Sequence, residues 1–265
     1  MILKREVRRA QKALWIWVIT LGGMSFLIMS VYPQFAENQE QLKDLMALYP
    51  EAMLKAFNID ALGFDTPLGF YAIEGYLFVT LFGSIYAAMM AGGIIVKEES
   101  EKTVEFLLAK PVSRGRVIAE KAGAVLLNLL LFNGVLTAVN YAAFRYAGED
   151  SLDMSVFAMI SLAPFLLHLT FGAIAFMISS VVRKSRTATS LSLAVVLLAY
   201  FLNIVQSIAE RFSGLKYATP FHYVDSAYII EHAAIRPLYG SLMAALIISC
   251  TLIAYIVYKR KDLAA

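Results

Sequence analysis

The chain has 265 residues, 60% of them hydrophobic and only 16% charged, with a mean hydropathy of +0.67 and a formal net charge of +3. An ordinary soluble domain carries about 25% charged residues, and here the charges gather in short clusters between long stretches that have none, so a soluble globular domain is excluded. The small net charge gives no reason to expect nucleic acid as a partner, and the one cysteine, Cys250, excludes a disulfide framework and a thiolate metal cluster.

The chain opens on Leu3, Val7, Ala10 and Leu14, spaced by four, three and four residues, with basic residues between them. That pattern predicts an amphipathic interfacial helix on an anionic leaflet, and the regular stripe favours it over a solvated basic tail. No ionisable residue follows between Lys12 and Glu37. This run is too long for a signal-peptide core and lacks a small-x-small cleavage site, so it reads as an uncleaved first span over about 14–34. The outer segment 34–70 holds two short helical stretches, 39–48 and 51–57, the second opened by Pro50, and then turn residues from Asn58 to Gly69. It reads equally as a cap and as a connector.

Further charge-free runs predict spans over about 75–96, 117–144, 154–182, 187–208 and 237–258. Each meets the ~20 residues that a helix needs to cross ~30 Å of hydrocarbon. None alternates like a strand, and only helices or closed barrels satisfy their backbone in lipid. The expected fold is therefore all-α integral membrane: one transmembrane domain, 1–265, of six transmembrane helices. Lys and Arg in the connections number 17 on the side of the two termini and 6 on the other, counted along the sequence. By the positive-inside rule both termini are expected to be cytoplasmic in a cell membrane.

Between the second and third spans, strong helix formers run from Glu98 to Ala109 and stop at Pro111, with Ser113 placed to cap the next helix. Val104, Leu107 and Leu108 form an apolar patch, while Glu98, Glu101 and Glu105 lie on another face. Such a helix suits docking into a partner's groove; read without other information, a solvated connector is as good an account.

Polar residues within the spans are few. Asn128, Asn133 and Asn140 lie in the third, with Asn133, Thr137 and Asn140 sharing a face; His168 and Thr170 lie in the fourth; Asn203 and Gln206 share a face of the fifth. The asparagines read first as interhelical hydrogen bonds, worth about 0.6 kcal/mol on average, and otherwise as a translocation path. His168, as an intramembrane ionisable residue, has both readings open. The outer segment 210–236 is rich in aromatic residues (Phe212, Tyr217, Phe221, Tyr223, Tyr228), which places it at the outer boundary. Its His222, Asp225, Glu231 and His232 lack the shared spacing of a metal site, so no metal is expected.

The run Glu98-Glu-Ser-Glu-Lys-Thr-Val-Glu-Phe-Leu-Leu-Ala-Lys-Pro-Val-Ser-Arg-Gly-Arg-Val-Ile118 resembles the signature of type-2 ABC exporter permeases. The basic start, the six spans, the long first outer loop and the stretch Ala218-Thr-Pro-Phe-His-Tyr223 are similar to that family too. The resemblance implies that the 98–110 stretch is a coupling helix seated in a cytoplasmic ATPase. The contacts it implies are Glu98, Glu99, Glu101, Thr103, Val104, Glu105, Phe106, Leu107, Leu108, Pro111 and Arg114. No Gly-x-x-x-x-Gly-Lys-Ser/Thr loop is present, so ATP and Mg are expected in a separate subunit and no cofactor in this chain. The implied assembly is two permeases, the second the same or a similar chain, with two ATP-binding subunits in a lipid bilayer. The implied role is a transport subunit, not an enzyme, of an ATP-driven exporter.

Other classes fit less well. An intramembrane enzyme needs paired carboxylates, a His cluster or a Ser or Cys nucleophile within the spans, whereas the carboxylates Glu74 and Glu120 lie at their ends and His168 stands alone. A secondary transporter is expected to show midspan acids or paired broken helices, which Pro164 alone does not supply. An ATPase-linked component that transmits force to an extracytoplasmic partner stays open within the family.

Overall fold

A computed structural model describes residues 2–38, 48–50, 53–54, 62, 66–103, 112–148, 152–208 and 210–261. Among these the chain is helical, without strands, and six helices are long and apolar enough to cross a membrane. They are α1 (Ile2–Glu37), α2 (Pro67–Gly92), α3 (Arg114–Tyr146), α4 (Met154–Val181), α5 (Ser185–Ile208) and α6 (Pro237–Arg260).

The starts follow local chemistry. Thr66 caps α2 by accepting from the Gly69 N–H at 3.0 Å, and Pro67 takes the first helical position, where its missing donor is harmless. Ser113 caps α3 through the Arg116 N–H, and Asp153 caps α4 through the Ser155 and Val156 N–H groups. Pro237 opens α6, and Lys259 and Arg260 close it against the negative end of the helix dipole.

Three expected boundaries are corrected. The basic N-terminal segment is not a separate helix: residues 2–37 form one, because neither Gly nor Pro occurs before Gly22 to break it. Leu3 and Val7 of its stripe pack against the protein core, and Ile2, Glu6 and Leu14 are the buried positions. Helix α2 begins at Pro67 rather than near 75, with a π-helical turn over Tyr71–Gly75 and Glu74 exposed on its surface. The helix expected from Glu98 onward is only Lys97–Ser100 among the described residues. Lys102 then adopts a left-handed φ of 54°, with the Thr103 N–H bonding Glu98 O and the Lys102 N–H bonding Glu99 O. These two bonds make a Schellman motif, which ends the helix against the propensity of its sequence. The remainder of the expected coupling helix, 104–110, and the helical stretches 39–48 and 51–57 fall mainly or wholly outside the described residues.

Helices α2 and α4 form the centre and α5 and α6 the periphery: 61% and 56% of the most apolar windows of α2 and α4 are buried, against 22% and 17% in α5 and α6. Helix α4 packs on α2, α6, α5 and α3, and α1 packs chiefly on α3. The buried residues of α5, Ala188, Ser192, Val196 and Ala199, make one stripe of small side chains. Helix α5 packs mainly on α2, and a Cβ at Gly92 of α2 would lie 2.9 Å from Ser192 Oγ.

Candidate functional site

At the end of the bundle that carries residues 2 and 261, the chain leaving α2 is fastened to four other helices. The Ile95 and Val96 N–H groups donate to Ser179 Oγ on α4 at 3.0 and 3.3 Å. Lys97 pairs with Glu6 of α1. Glu98 accepts from Lys121 Nζ of α3 at 2.6 Å and from Arg5 of α1 at 3.1 Å. Glu99 accepts from Lys261 Nζ at 2.8 Å, beyond the end of α6. The joint closes on itself through three further links. Lys121 also donates to Ile94 O, Lys261 to Val182 O at 3.1 Å, and Arg114 to Lys261 O at 2.8 Å. Nearby, Glu120 accepts from the Ile2 and Leu3 N–H groups, tying the start of α1 to α3.

Burial makes these links strong. Lys121 is fully buried, and the side chains of Glu98 and Glu6 are 8% and 2% exposed. Surface ion pairs contribute little; breaking a buried one by removing a single partner costs about 3–5 kcal/mol. Three consecutive residues, Lys97, Glu98 and Glu99, thus hold α1, α3 and the end of α6. Movement of the segment they begin must move those helices or break buried charge pairs.

Of the residues expected to touch an ATPase, Glu98 and Glu99 have carboxylates engaged within the chain. Glu101 is exposed, Thr103 is half-buried beside Glu98 O, and Arg114 is bound to Lys261 O. Val104, Glu105, Phe106, Leu107, Leu108 and Pro111 lie outside the described residues.

Above the joint, α2 and α5 form a seam with a cavity at each end. The one nearer the joint, about 390 Å³, is lined by α1 (Glu6, Arg9, Trp17), α2 (Tyr86, Met89, Met90), Asn128 of α3, and Ser185 and Thr189 of α5, with Lys97 and Glu101 at its rim. The far cavity, about 100 Å³, is lined by Tyr76 and Thr80 of α2, Tyr200, Asn203 and Gln206 of α5, and His222 and Asp225. Between them runs the α5 stripe of small buried side chains, with Ser192 close to Gly92 of α2.

The far cavity is roofed by the aromatic segment. Thr219 Oγ1 donates to Ala199 O at 2.7 Å, nine residues before the end of α5. At 1.5 Å per residue this places the chain ~13 Å inside that helix's end. Tyr76 OH bonds Val224 O at 2.9 Å, Tyr223 stacks on Tyr239, and Arg236 covers the Tyr228 ring at 4.4 Å. Gln206 Nε2 donates to His222 Nδ1 at 3.3 Å. Burial holds the His222 pKa below its ordinary value, against the opposing pull of Asp225. Glu231 and His232 lie apart on the exposed side, and no group of three metal-ligating side chains occurs among the described residues.

The polar residues of the spans therefore separate. Asn128 lines the cavity near the joint, and Asn203 and Gln206 the far one. Asn133 and His168 meet inside the core: His168 Nδ1 lies 2.9 Å from Asn133 Oδ1, and its Nε2 lies 3.0 Å from Val79 O. Asn140 donates to Tyr71 OH at 2.7 Å, and Thr170 bonds back to Leu166 O. Neither cavity is lined by these four. Sequence reasoning missed Glu6, Tyr86 and Lys261. Glu6 carried a signal, as the one acid in a basic segment four residues from Ile2 on the same helical face.

Six apolar spans, a buried charged joint at one end and a seam with a cavity at either end define a multi-pass membrane transport subunit. The chain belongs to the family described as ABC-2 family transporter protein, which matches residues 1–263, and it is thus a membrane component of an ABC transporter rather than a catalytic subunit. Permeases of this family generally work with an ATP-binding subunit in a lipid bilayer. No curated protein matches the chain.

Proposed function

We propose that this chain is the permease subunit of an ATP-driven exporter. In this reading two copies, or this chain and a similar one, form the path and pair with two ATP-binding subunits that bind ATP and Mg. Both termini and the joint face the cytoplasm, which agrees with the distribution of Lys and Arg. The segment 98–110 contacts the ATPase through Glu101 and the Val104, Leu107 and Leu108 patch. Glu98 and Glu99 act one step further in, as anchors that carry its movement to α3 and to the end of α6.

The observation that carries the reading is the joint. A passive connector between two spans has no need of three successive residues each fastened to a different helix. Switching a two-state equilibrium from 1:99 to 99:1 takes about 5.5 kcal/mol, and a buried pair that costs about 3–5 kcal/mol to break transmits such a load without slipping. The seam is what moves. Its cavity near the joint is the entry, the far cavity lies on the exit route, and the small side chains between them are the closed gate. Two cavities on one seam favour passage of a substrate over transmission of force alone.

The test is to lock the seam. The Cβ position of Gly93 lies 3.0 Å from Ser185 Oγ, so a Gly93→Cys/Ser185→Cys pair in a Cys250→Ala background is placed to form a disulfide. In liposomes with the ATP-binding subunit, oxidation is expected to stop ATP hydrolysis and reduction to restore it. Equal hydrolysis by the oxidised and reduced forms counts against a seam that must open in each cycle.

A further inference from the structure

We infer that the cavity beside the joint binds an amphipathic small molecule whose head group donates a hydrogen bond, such as a primary alcohol or amine on an apolar body. This rests on the export reading in so far as the ligand is taken to be the cargo. The binding site itself rests only on the cavity.

Two buried polar atoms carry the inference. Tyr86 OH and Asn128 Oδ1 have no hydrogen-bond partner among the described residues, although both residues are only 1% exposed and both line this cavity. Buried polar groups are almost always paired, and two unpaired ones on the same cavity mark where a ligand's polar end belongs. The orientation of the Asn128 amide decides which kind of polar end. Its Nδ2 donates to Ala124 O at 2.8 Å, so turning the amide over would set two oxygens against each other. The free atom is therefore an acceptor and calls for a donor. Tyr86 OH both donates and accepts, so a hydroxyl or amine pairs with either atom. A carboxylate has no proton for Asn128.

The rest of the lining fixes the body of the ligand. Trp17, Met89, Met90 and Ala13 supply an aromatic and thioether wall, and methionines adapt to varied apolar shapes. At about 390 Å³ the cavity is of small-molecule size. Its charged residues are two acids, Glu6 and Glu101, and two bases, Arg9 and Lys97, with Glu6 paired to Lys97. That balance gives no field to draw in an anion. Because the Glu6–Lys97 pair belongs to the joint, a ligand here sits against the part that links the spans to segment 98–110.

Trp17 provides the readout, since the only other tryptophan, Trp15, is half exposed and can be changed to Phe. The full chain in nanodiscs is titrated with ω-bromoundecanol and, separately, with ω-bromoundecanoate at a pH where it is ionised; bromine quenches nearby indole. The alcohol is expected to quench Trp17 saturably, with about five-fold weaker binding in Tyr86→Phe and in Asn128→Leu, the loss of one hydrogen bond each. The carboxylate is expected to give only the linear quenching of partition into lipid. Tyr86→Phe removes a single oxygen, so it keeps the test valid if Asn128→Leu folds poorly. Linear quenching by both probes means that the cavity holds water alone, and saturable quenching unaffected by either variant places the ligand elsewhere; each overturns the inference. No ATP-binding subunit is needed. Saturable, variant-sensitive binding by a chain that recruits no such subunit would leave the site standing and remove the export reading.

Discussion

Lys121→Met is the sharpest perturbation of the joint. The side chain is fully buried, and its ammonium bonds both Glu98 Oε2, at 2.6 Å, and Ile94 O. Methionine keeps the apolar length and removes the charge. Among the described residues Glu98, 8% exposed at its side chain, then keeps only Arg5, whose own side chain is 43% exposed. Removing one partner of a buried pair costs about 3–5 kcal/mol, whereas replacing both partners by uncharged groups is often close to neutral. Lys121→Met alone is therefore expected to lower stability by about 3–5 kcal/mol, and Lys121→Met/Glu98→Gln by about 1–2 kcal/mol, chiefly the Ile94 carbonyl left unpaired. The assay is a double-mutant cycle of denaturant or thermal unfolding in one detergent, with Glu98→Gln as the fourth corner. Coupling of at least about 1 kcal/mol is predicted. Purely additive losses would refute the view that these groups act as a buried pair.

The bundle yields further expectations. A Cβ on Gly83 would lie 2.3 Å from the His168 ring, so Gly83→Ala is expected to cost more than about 2 kcal/mol, while Gly134→Ala, with nothing within 4 Å, should be neutral or slightly stabilising; unfolding midpoints decide. Tyr71→Phe removes the partner of Asn140 and should cost about 0.6–1.7 kcal/mol, the range for hydrogen bonds between membrane helices, in the same assay. His222 accepts from Gln206 in its neutral form, and burial holds its folded pKa below the ordinary 6.5. As pH falls below 6.5 the unfolded chain takes up the proton first, so stability should fall until the lower folded value is reached and then level off. His222→Phe should abolish this loss when stability is followed from neutral to mildly acid pH.

The six spans are legible in the sequence because a charge inside the hydrocarbon is costly, so gaps between charges report where the helices cross. Segment ends are less so. Glu74 suggested that the second span begins near 75, yet the cap at Thr66 and Pro67 starts the helix earlier and leaves that carboxylate exposed. The joint was hidden for a different reason. Glu98 meets Lys121, and Glu99 meets Lys261 across 162 residues, and no local pattern announces such pairs. The helix propensity of 98–109 likewise gave no sign of the Schellman turn at Lys102.

The polar residues show the same limit. Asn133 and Asn140, seven apart, were read correctly as sharing a face, since seven residues make almost two full turns. That face meets the core, through His168 and Tyr71. Asn128, five residues before Asn133, is turned by about 140° and faces the cavity instead. Asn203 and Gln206 do share a cavity, as their spacing suggested. Which face of a helix looks inward is a property of the packed bundle, and periodicity alone does not supply it.

The central claim, that this membrane component is driven by a separate ATPase through the segment after α2, is tested most directly by co-purification. The tagged chain is expressed with candidate ATP-binding subunits, as the native sequence and as Leu107→Asp/Leu108→Asp, and the proteins retained in detergent are identified. A nucleotide-binding subunit held by the native chain and lost from a variant that still inserts is the result predicted here. Retention of that subunit by the variant would move the contact away from this segment, and no ATP-binding subunit on the native chain would contradict the account.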